Sequence, residues 1–396
     1  MTKFAQSMHS VAFGRAAAAV SKPRAAMLAA LLTLAAACDR VDAPTAPVSG
    51  LAATRADGGI TGAVYTMTNA AVNNEVLVFP RFANGTIGTA VAVPTGGNGN
   101  GAGLGSQGAV LLSANGRWLV AVNAGSHELT VFSAHHERVE FSDRIGSGGQ
   151  TPISVAIHGD LIYVLNAGVP NNVTGFRLSP RGQLTQIAGS SRPLSAAAAG
   201  PAQVSFTNDG RTLVITEKAT NTITTYPVLG SGLLGTPNFV PSEGATPFGF
   251  AFDRHDRLFV SEAFGGAPGA SALSSYAAGS FAPISSSVGS GEQAACWVLV
   301  SKDGSMAFVT NTASGSVSTY AIANNGSVSL LHAVGAATGA GSGPIDMALS
   351  GNGRFVFVLA PGNGTVRPYA VNDDGTLTGL GPIAGVPATA FGLAAS

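Results

Sequence analysis

Apolar residues in this chain come in short alternating runs, not at helical spacing. Gly210–Tyr226, GRTLVITEKATNTITTY, reads as a turn, a strand, a tight polar loop and a second strand. Related stretches open at Gly62, Gly116, Asp160, Asp256, Gly304 and Gly353, at intervals of 44 to 54 residues, and each ends in Phe or Tyr. A strand–loop–strand unit repeated at a near-constant period predicts a radial β-array. Most copies follow a further short strand: QGAVLL from Gln107, PISVAI from Pro152, PAQVSF from Pro201, PFGFAF from Pro247, ACWVLV from Ala295 and PIDMAL from Pro344. On these strands bulky Val155, Val204, Phe250, Val298 and Met347 alternate with small Ala156, Ser205, Ala251 and Ala348. That pattern suits close packing near an axis, and a Pro at a strand start costs no ladder donor. A fourth strand follows each copy, as in GQLTQIAG from Gly182 and GSVSLLHAV from Gly326.

Seven four-stranded units result. The first lacks its innermost strand, and PATAFGLAAS from Pro387 has the pattern of the missing piece. The expected fold is therefore all-β: a seven-bladed β-propeller over residues 59–396, closed by the C-terminal strand joining the first blade. Closure removes exposed strand edges.

Composition agrees. The chain has 396 residues, of which 45% are hydrophobic, 53 are Gly and only 10% are charged. Typical soluble proteins carry about 25% charged residues. The first 37 residues hold four basic residues and no acid, which leaves a balance of −4 on the remainder. No basic cluster offers a footprint for nucleic acid, so none is expected as a partner.

Lys22 and Arg24 precede the apolar run Ala25–Ala37, which is followed by Cys38. A basic region, about a dozen apolar residues and a small-residue cleavage site describe a secretory signal, too short for the roughly 20 residues of a comfortable span. Leu34-Ala35-Ala36-Ala37-Cys38 also resembles a bacterial lipoprotein signal, in which the Cys is lipidated. Residues 1–37 are thus expected to be a signal peptide, and residues 38–58, rich in Pro, Ala, Thr and Gly, a flexible tether. The expected location is the bacterial cell envelope or periplasm, with the membrane reached only through a lipid on Cys38, or else plain secretion.

Aligning the blades exposes the candidate chemistry. The residue closing the second strand is Asn69, Asn123, Asn166, Glu217, Glu262, Asn311 or Pro361. Asn suits a turn, because its short side chain bonds neighbouring backbone. Glu217 and Glu262 break that pattern. Two carboxylates on one rim suit acid/base work, or the holding of a cation or sugar hydroxyls. The alternative is two solvated acids, one of them beside Lys218. Gln203, Lys218, Glu262, Asn123, Asn166 and Asn311 complete the candidate ligand-binding rim. No metal set and no cofactor is expected. Gly103-Leu104-Gly105-Ser106-Gln107-Gly108 matches a dinucleotide fingerprint in letters but precedes a strand, not a helix. His135-His136 lies in a hairpin loop without a third ligand at metal spacing.

Ala307–Tyr320, AFVTNTASGSVSTY, looks like the YVTN-type propeller repeat. The run Gly200-Pro201…Asn208-Asp209-Gly210…Thr216-Glu217 over seven blades resembles the lactonase-type propeller family. That family includes propeller-type 6-phosphogluconolactonase and fungal carboxymuconate cyclase. The resemblance implies a catalytic Glu at Glu217, an Arg-His pair just after the preceding Gly-Pro, and a His-Pro-His opening the third blade's inner strand. Here the pair reads Ala202-Gln203 and the latter Thr151-Pro152-Ile153. Lactone opening needs a cation or donor for the developing oxyanion. The expected function is therefore an exported, lipid-anchored, monomeric propeller that binds a small molecule or an envelope protein. The alternative is a divergent lactone hydrolase using Glu217.

Overall fold

The repeated strands fold into seven antiparallel sheets in the computed structural model, which describes residues 59–396. The expected signal peptide, tether and lipidated Cys38 lie outside the described residues. The fourth blade shows the plan: Pro201–Phe206 innermost, then Thr212–Glu217, Thr222–Pro227 and Asn238–Pro241 at the outside. Inner strands of successive blades pack on one another around the axis. The ring closes as expected. Phe391–Ala395 pairs antiparallel with Ile60–Met67 and becomes the first blade's innermost strand. Arg81 Nε donates to the Ser396 carbonyl at 2.9 Å, and Ala63 N donates to Ser396 Oγ at 2.8 Å.

Local chemistry sets the hairpin between the first and second strands of blade four. Thr207 Oγ1 donates to Asp209 Oδ1 at 2.7 Å, Arg211 N donates to the same oxygen at 2.9 Å, and Gly210 takes φ +69°. An Asp that bonds the backbone two residues on, followed by a left-handed Gly, is a turn that most side chains would strain. These bonds pull the Asp209 carboxyl below its ordinary range. Ser301, Asp303 and Gly304 repeat the device.

The aromatic residue that ends each repeat has a structural use. Phe79, Phe132, Phe176, Tyr226, Tyr276, Tyr320 and Tyr369 are all buried on third strands. Each such side chain removed from water contributes about 1.5–3 kcal/mol. The Tyr hydroxyls also reach the preceding blade: Tyr226 donates to the Pro193 carbonyl, Tyr320 to Val288 and Tyr369 to Ala337, while Tyr276 accepts from Glu243 N. Burial pushes the Tyr226 phenol up to about 12, so it remains a protonated donor at neutral pH.

Two details depart from the sequence reading. The inner strands expected from Gln107 and Pro344 shorten to Val110–Leu112 and Met347–Leu349. The residues before them turn their polar groups across the ring instead of into a ladder: Gln107 N donates to the Ala202 carbonyl, and Gly108 N to Asp346 Oδ2. The outer strands of blades three and seven are also each split, at Leu184–Gln186/Arg192–Pro193 and at Leu377–Gly379/Ile383–Ala384.

Candidate functional site

Second strands run in one direction through all seven blades, so the aligned Asn and Glu residues lie at one end of the ring. The pairing register, however, puts Thr68 and Ala360 in this column, one residue before the Asn69 and Pro361 read from the sequence. This is the end where each outer strand passes into the next blade. Asn123 is fully buried; its Nδ2 donates to Thr130 Oγ1 at 2.8 Å, and its Oδ1 accepts from Thr95 Oγ1 at 2.7 Å and Asn74 Nδ2 at 2.9 Å. Asn166 Nδ2 donates to the Ser147 carbonyl at 3.3 Å, and Asn311 Nδ2 to Ser318 Oγ at 2.8 Å. These side chains tie the second strand to the third strand or to the segment arriving from the previous blade.

Glu217 and Glu262 occupy the same place. Glu217 is 0% exposed. Its Oε1 accepts from Thr224 Oγ1 at 2.5 Å and Ser195 N at 3.2 Å, and its Oε2 from Thr220 Oγ1 at 2.8 Å and from Ser195 Oγ. Glu262 is also 0% exposed. Its Oε1 accepts from Ser274 Oγ at 2.6 Å and Gly244 N at 2.7 Å, and its Oε2 from Ser287 Oγ at 2.5 Å. Burial pushes the Glu262 carboxyl up, opposed by the bonds from Ser274, Ser287 and Gly244. A Cβ added at Gly244 would stand 2.2 Å from Glu262 Oε2, so that approach requires glycine. Neither carboxylate is a solvated acid. Each is sealed between blades, with both oxygens accepting from hydroxyl and backbone donors.

The positions aligned with the family's Arg-His pair are sealed too. Ala202 is 0% exposed and Gln203 is 7%. The Gln203 amide donates to the Phe250 carbonyl at 3.0 Å and accepts from Phe250 N at 2.6 Å, joining the inner strands of blades four and five. Gln107 does the same across the ring, to the carbonyl and N–H of Val298.

The glycine-rich segment that matched a dinucleotide fingerprint lies over the axis. Ser106 Oγ donates to the Ile153 carbonyl at 2.8 Å in blade three, and Trp297 Nε1 of blade six donates to the Ser106 carbonyl at 2.8 Å. Lys218 Nζ of blade four donates to the Gly105 carbonyl at 2.6 Å and stands 4.5 Å from the centre of the Phe248 ring. Leu104, Ser106 and Gln107 are buried. Residues 104–107 therefore form a plug held from blades three, four and six. The sequence held one signal for it: a glycine-rich stretch before an inner strand, with no helix to give it a phosphate-binding role.

Among the described residues no group of His, Cys, Asp and Glu is arranged to hold a metal ion. His135 and His136 are exposed at a hairpin tip, lining a surface groove of about 370 Å³ with Ile60 and Thr61. A second groove, of about 230 Å³, lies at the seam of blades six and seven. Neither involves the Asn/Glu positions. Sequence reasoning missed Arg367 in that second groove. It would have emerged from aligning third strands as well as second ones.

A family model described as lactonase, 7-bladed beta-propeller, matches residues 63–190, 169–263 and 255–390. Among solved structures, the periplasmic gluconolactonase of Pseudomonas aeruginosa is 16% identical, covering 82% of this chain and 97% of that one with a TM-score of 0.64. A Lactobacillus plantarum protein is 16% identical over 84% of this chain and 98% of its own, TM-score 0.68. A candidate 6-phosphogluconolactonase of Bacteroides fragilis is 15% identical over 87% and 99%, TM-score 0.63. No curated protein matches this sequence.

Proposed function

The chain belongs to the lactonase family of seven-bladed β-propellers, and we propose that it acts there as a non-catalytic binding module. In this reading it is exported, held at the cell envelope through a lipid on Cys38, and monomeric. Its ligand is a small molecule or an envelope protein. The observation that carries the reading is the state of Glu217. A general base needs a lone pair within reach of substrate, whereas both Glu217 oxygens accept from Ser195, Thr220 and Thr224 behind a fully buried surface. Ala202 and Gln203 supply no cation for an oxyanion.

A second reading, a divergent lactone hydrolase using Glu217, is favoured by family membership itself and by the lactonase names of two structural relatives. Function follows from the site more than from the fold. The two readings separate in a hydrolysis assay of glucono- and phosphogluconolactones with the full chain carrying Cys38→Ser. The binding reading expects no turnover above spontaneous opening. Turnover that a folded Glu217→Gln variant loses would overturn it. Metabolic labelling with a fatty acid tests the anchor: incorporation that disappears in Cys38→Ser is expected, and no incorporation refutes it.

A further inference from the structure

The seventh blade departs from blades two to six twice, at two positions whose side chains bond each other in blades two, four, five and six. Where they close the second strand with Asn or Glu, it has Ala360, which lies opposite Thr365 as Glu217 lies opposite Thr222. Where their third strands carry Thr130, Thr174, Thr224, Ser274 or Ser318, it has Arg367, opposite Val358. The register is shared: Thr224 lies opposite Ile215, Ser274 opposite Val260 and Ser318 opposite Val309. In blades four and five, this third-strand residue faces a buried carboxylate, that of Glu217 or Glu262. Blade seven has lost the carboxylate and gained a guanidinium. Arg367 Nε is buried without a hydrogen-bond partner, and Arg367 forms no ion pair with any acid among the described residues.

A groove of about 230 Å³ opens at the same point, lined by Arg367, Tyr369, Ala336, Ala337, Gly379 and Pro382. It exists because the outer strand breaks between Leu377–Gly379 and Ile383–Ala384. Blade three has the matching break, but there Ser190 Oγ donates to the Gly175 carbonyl and accepts from Gly175 N, both at 3.1 Å, and fills it. Pro368 is the counterpart of Gly175 and has no N–H. The crossover in blade seven is two residues shorter and has no counterpart of Ser190.

We propose that this groove between blades six and seven is a binding site for a small monocarboxylic acid, with Arg367 taking the carboxylate and Ala336, Ala337 and Pro382 taking a short apolar body. A planar guanidinium pairs with a carboxylate through two parallel bonds. A lone cation matches a single negative charge, and the volume is below that of drug-sized pockets. The site lies in other blades than Glu217 and Glu262, and its test does not depend on whether the chain turns over a lactone.

The test is a titration of the full chain with butyrate, with the isosteric neutral butyramide as control, read by calorimetry and ligand-observed NMR. Butyrate is expected to bind with a dissociation constant on the order of 1 mM, and butyramide at least about tenfold more weakly. Arg367→Gln is expected to abolish the difference. Arg367→Thr, the residue of the sister blades, gives the same reading should the Gln variant fold poorly. No butyrate binding at about 20 mM, equal binding of acid and amide, or undiminished binding in both variants would each refute the site.

Discussion

Gln107 of the second blade and Val298 of the sixth are joined as if they were paired strand residues, although 191 positions separate them. The side-chain amide donates to the Val298 carbonyl at 3.1 Å and accepts its N–H at 3.2 Å. An inner strand of a propeller leaves its axial side without a ladder partner, and buried backbone groups need partners. Gln107 and Gln203 supply them with a side chain that imitates a peptide group. Gln107→Ala leaves one buried donor and one buried acceptor of Val298 unmet. At about 1–3 kcal/mol for each group left unsatisfied, the variant is expected to lose about 2–6 kcal/mol. Urea unfolding followed by tryptophan fluorescence measures this, since Trp297 adjoins the clasp. A loss below about 0.5 kcal/mol, the level of an ordinary surface substitution, would show that the clasp is not needed.

Glu217 should behave as a structural residue with a ranked series of replacements. Glu217→Ala strands the hydroxyls of Thr220 and Thr224 and both donors of Ser195. It is expected to cost about 3 kcal/mol or more. Glu217→Asn, the residue of blades two, three and six, keeps a side-chain amide at the end of the second strand, which Asn123 and Asn311 bond to the third strand, and is expected to be milder by about 1 kcal/mol or more. Denaturant midpoints of the two variants, compared at one pH, test the ranking. Equal stability of both with the parent chain would mean that the network contributes nothing.

The strands were legible because each blade repeats the same alternation, turn residues and closing aromatic, so seven noisy copies reinforced one pattern. The missing strand of the first blade was legible for the same reason: PATAFGLAAS could pair only where the repeat was incomplete. The candidate site was less legible. The departure of Glu217 and Glu262 from Asn was visible, but its meaning depended on which side of the strand faced solvent. Thr224 and Ser274, two strands' width from the axis, decide that, and they were not aligned with the carboxylates they bind. Long-range pairs such as Gln107–Val298 and Trp297–Ser106 leave no local signal at all. Arg367 was readable in principle, since it breaks a Ser/Thr column just as Glu217 breaks an Asn column.

Ring closure is predicted to be a condition for a monomer. Removing residues 391–396 deletes the strand that pairs with Ile60–Met67 and takes away the Ser396 acceptors of Arg81 and Ala63. It leaves the edge of an apolar strand, Val64-Tyr65-Thr66-Met67, open to other chains. The truncated chain should appear as oligomers or aggregate in size-exclusion chromatography with light scattering. A synthetic peptide of residues 387–396 added in excess should partly restore the monomer, because it supplies the lost strand. A truncated chain that stays monomeric with an unchanged melting temperature would refute this account of closure.

Asp346 makes stability depend on pH in a direction opposite to that of most acids. It sits just before the inner strand of blade seven, 1% exposed; its Oδ2 accepts from Gly108 N at 3.2 Å and its Oδ1 from Met347 N at 3.1 Å. Burial pushes its carboxyl up to about 7, opposed by bonds from the backbone of Gly108, Met347 and Leu393. The unfolded chain ionises this group near the ordinary value of about 3.9. Between there and about 7 the folded state binds more protons than the unfolded one, so stability falls as pH rises. The protonated carboxyl's contribution is fully present below the unfolded pKa and lost as pH passes about 7. The span corresponds to at most about 4 kcal/mol at 1.36 kcal/mol per unit. Asp346→Asn cannot titrate, so the difference in unfolding free energy between parent and variant should change by a few kcal/mol from pH 4 to pH 8. Subtracting the variant removes Glu262, whose carboxyl is also raised by burial and has the same sign. A parent-minus-variant difference that is flat across that range, or that rises with pH, would show that Asp346 is ionised in the folded ring at all these pH values.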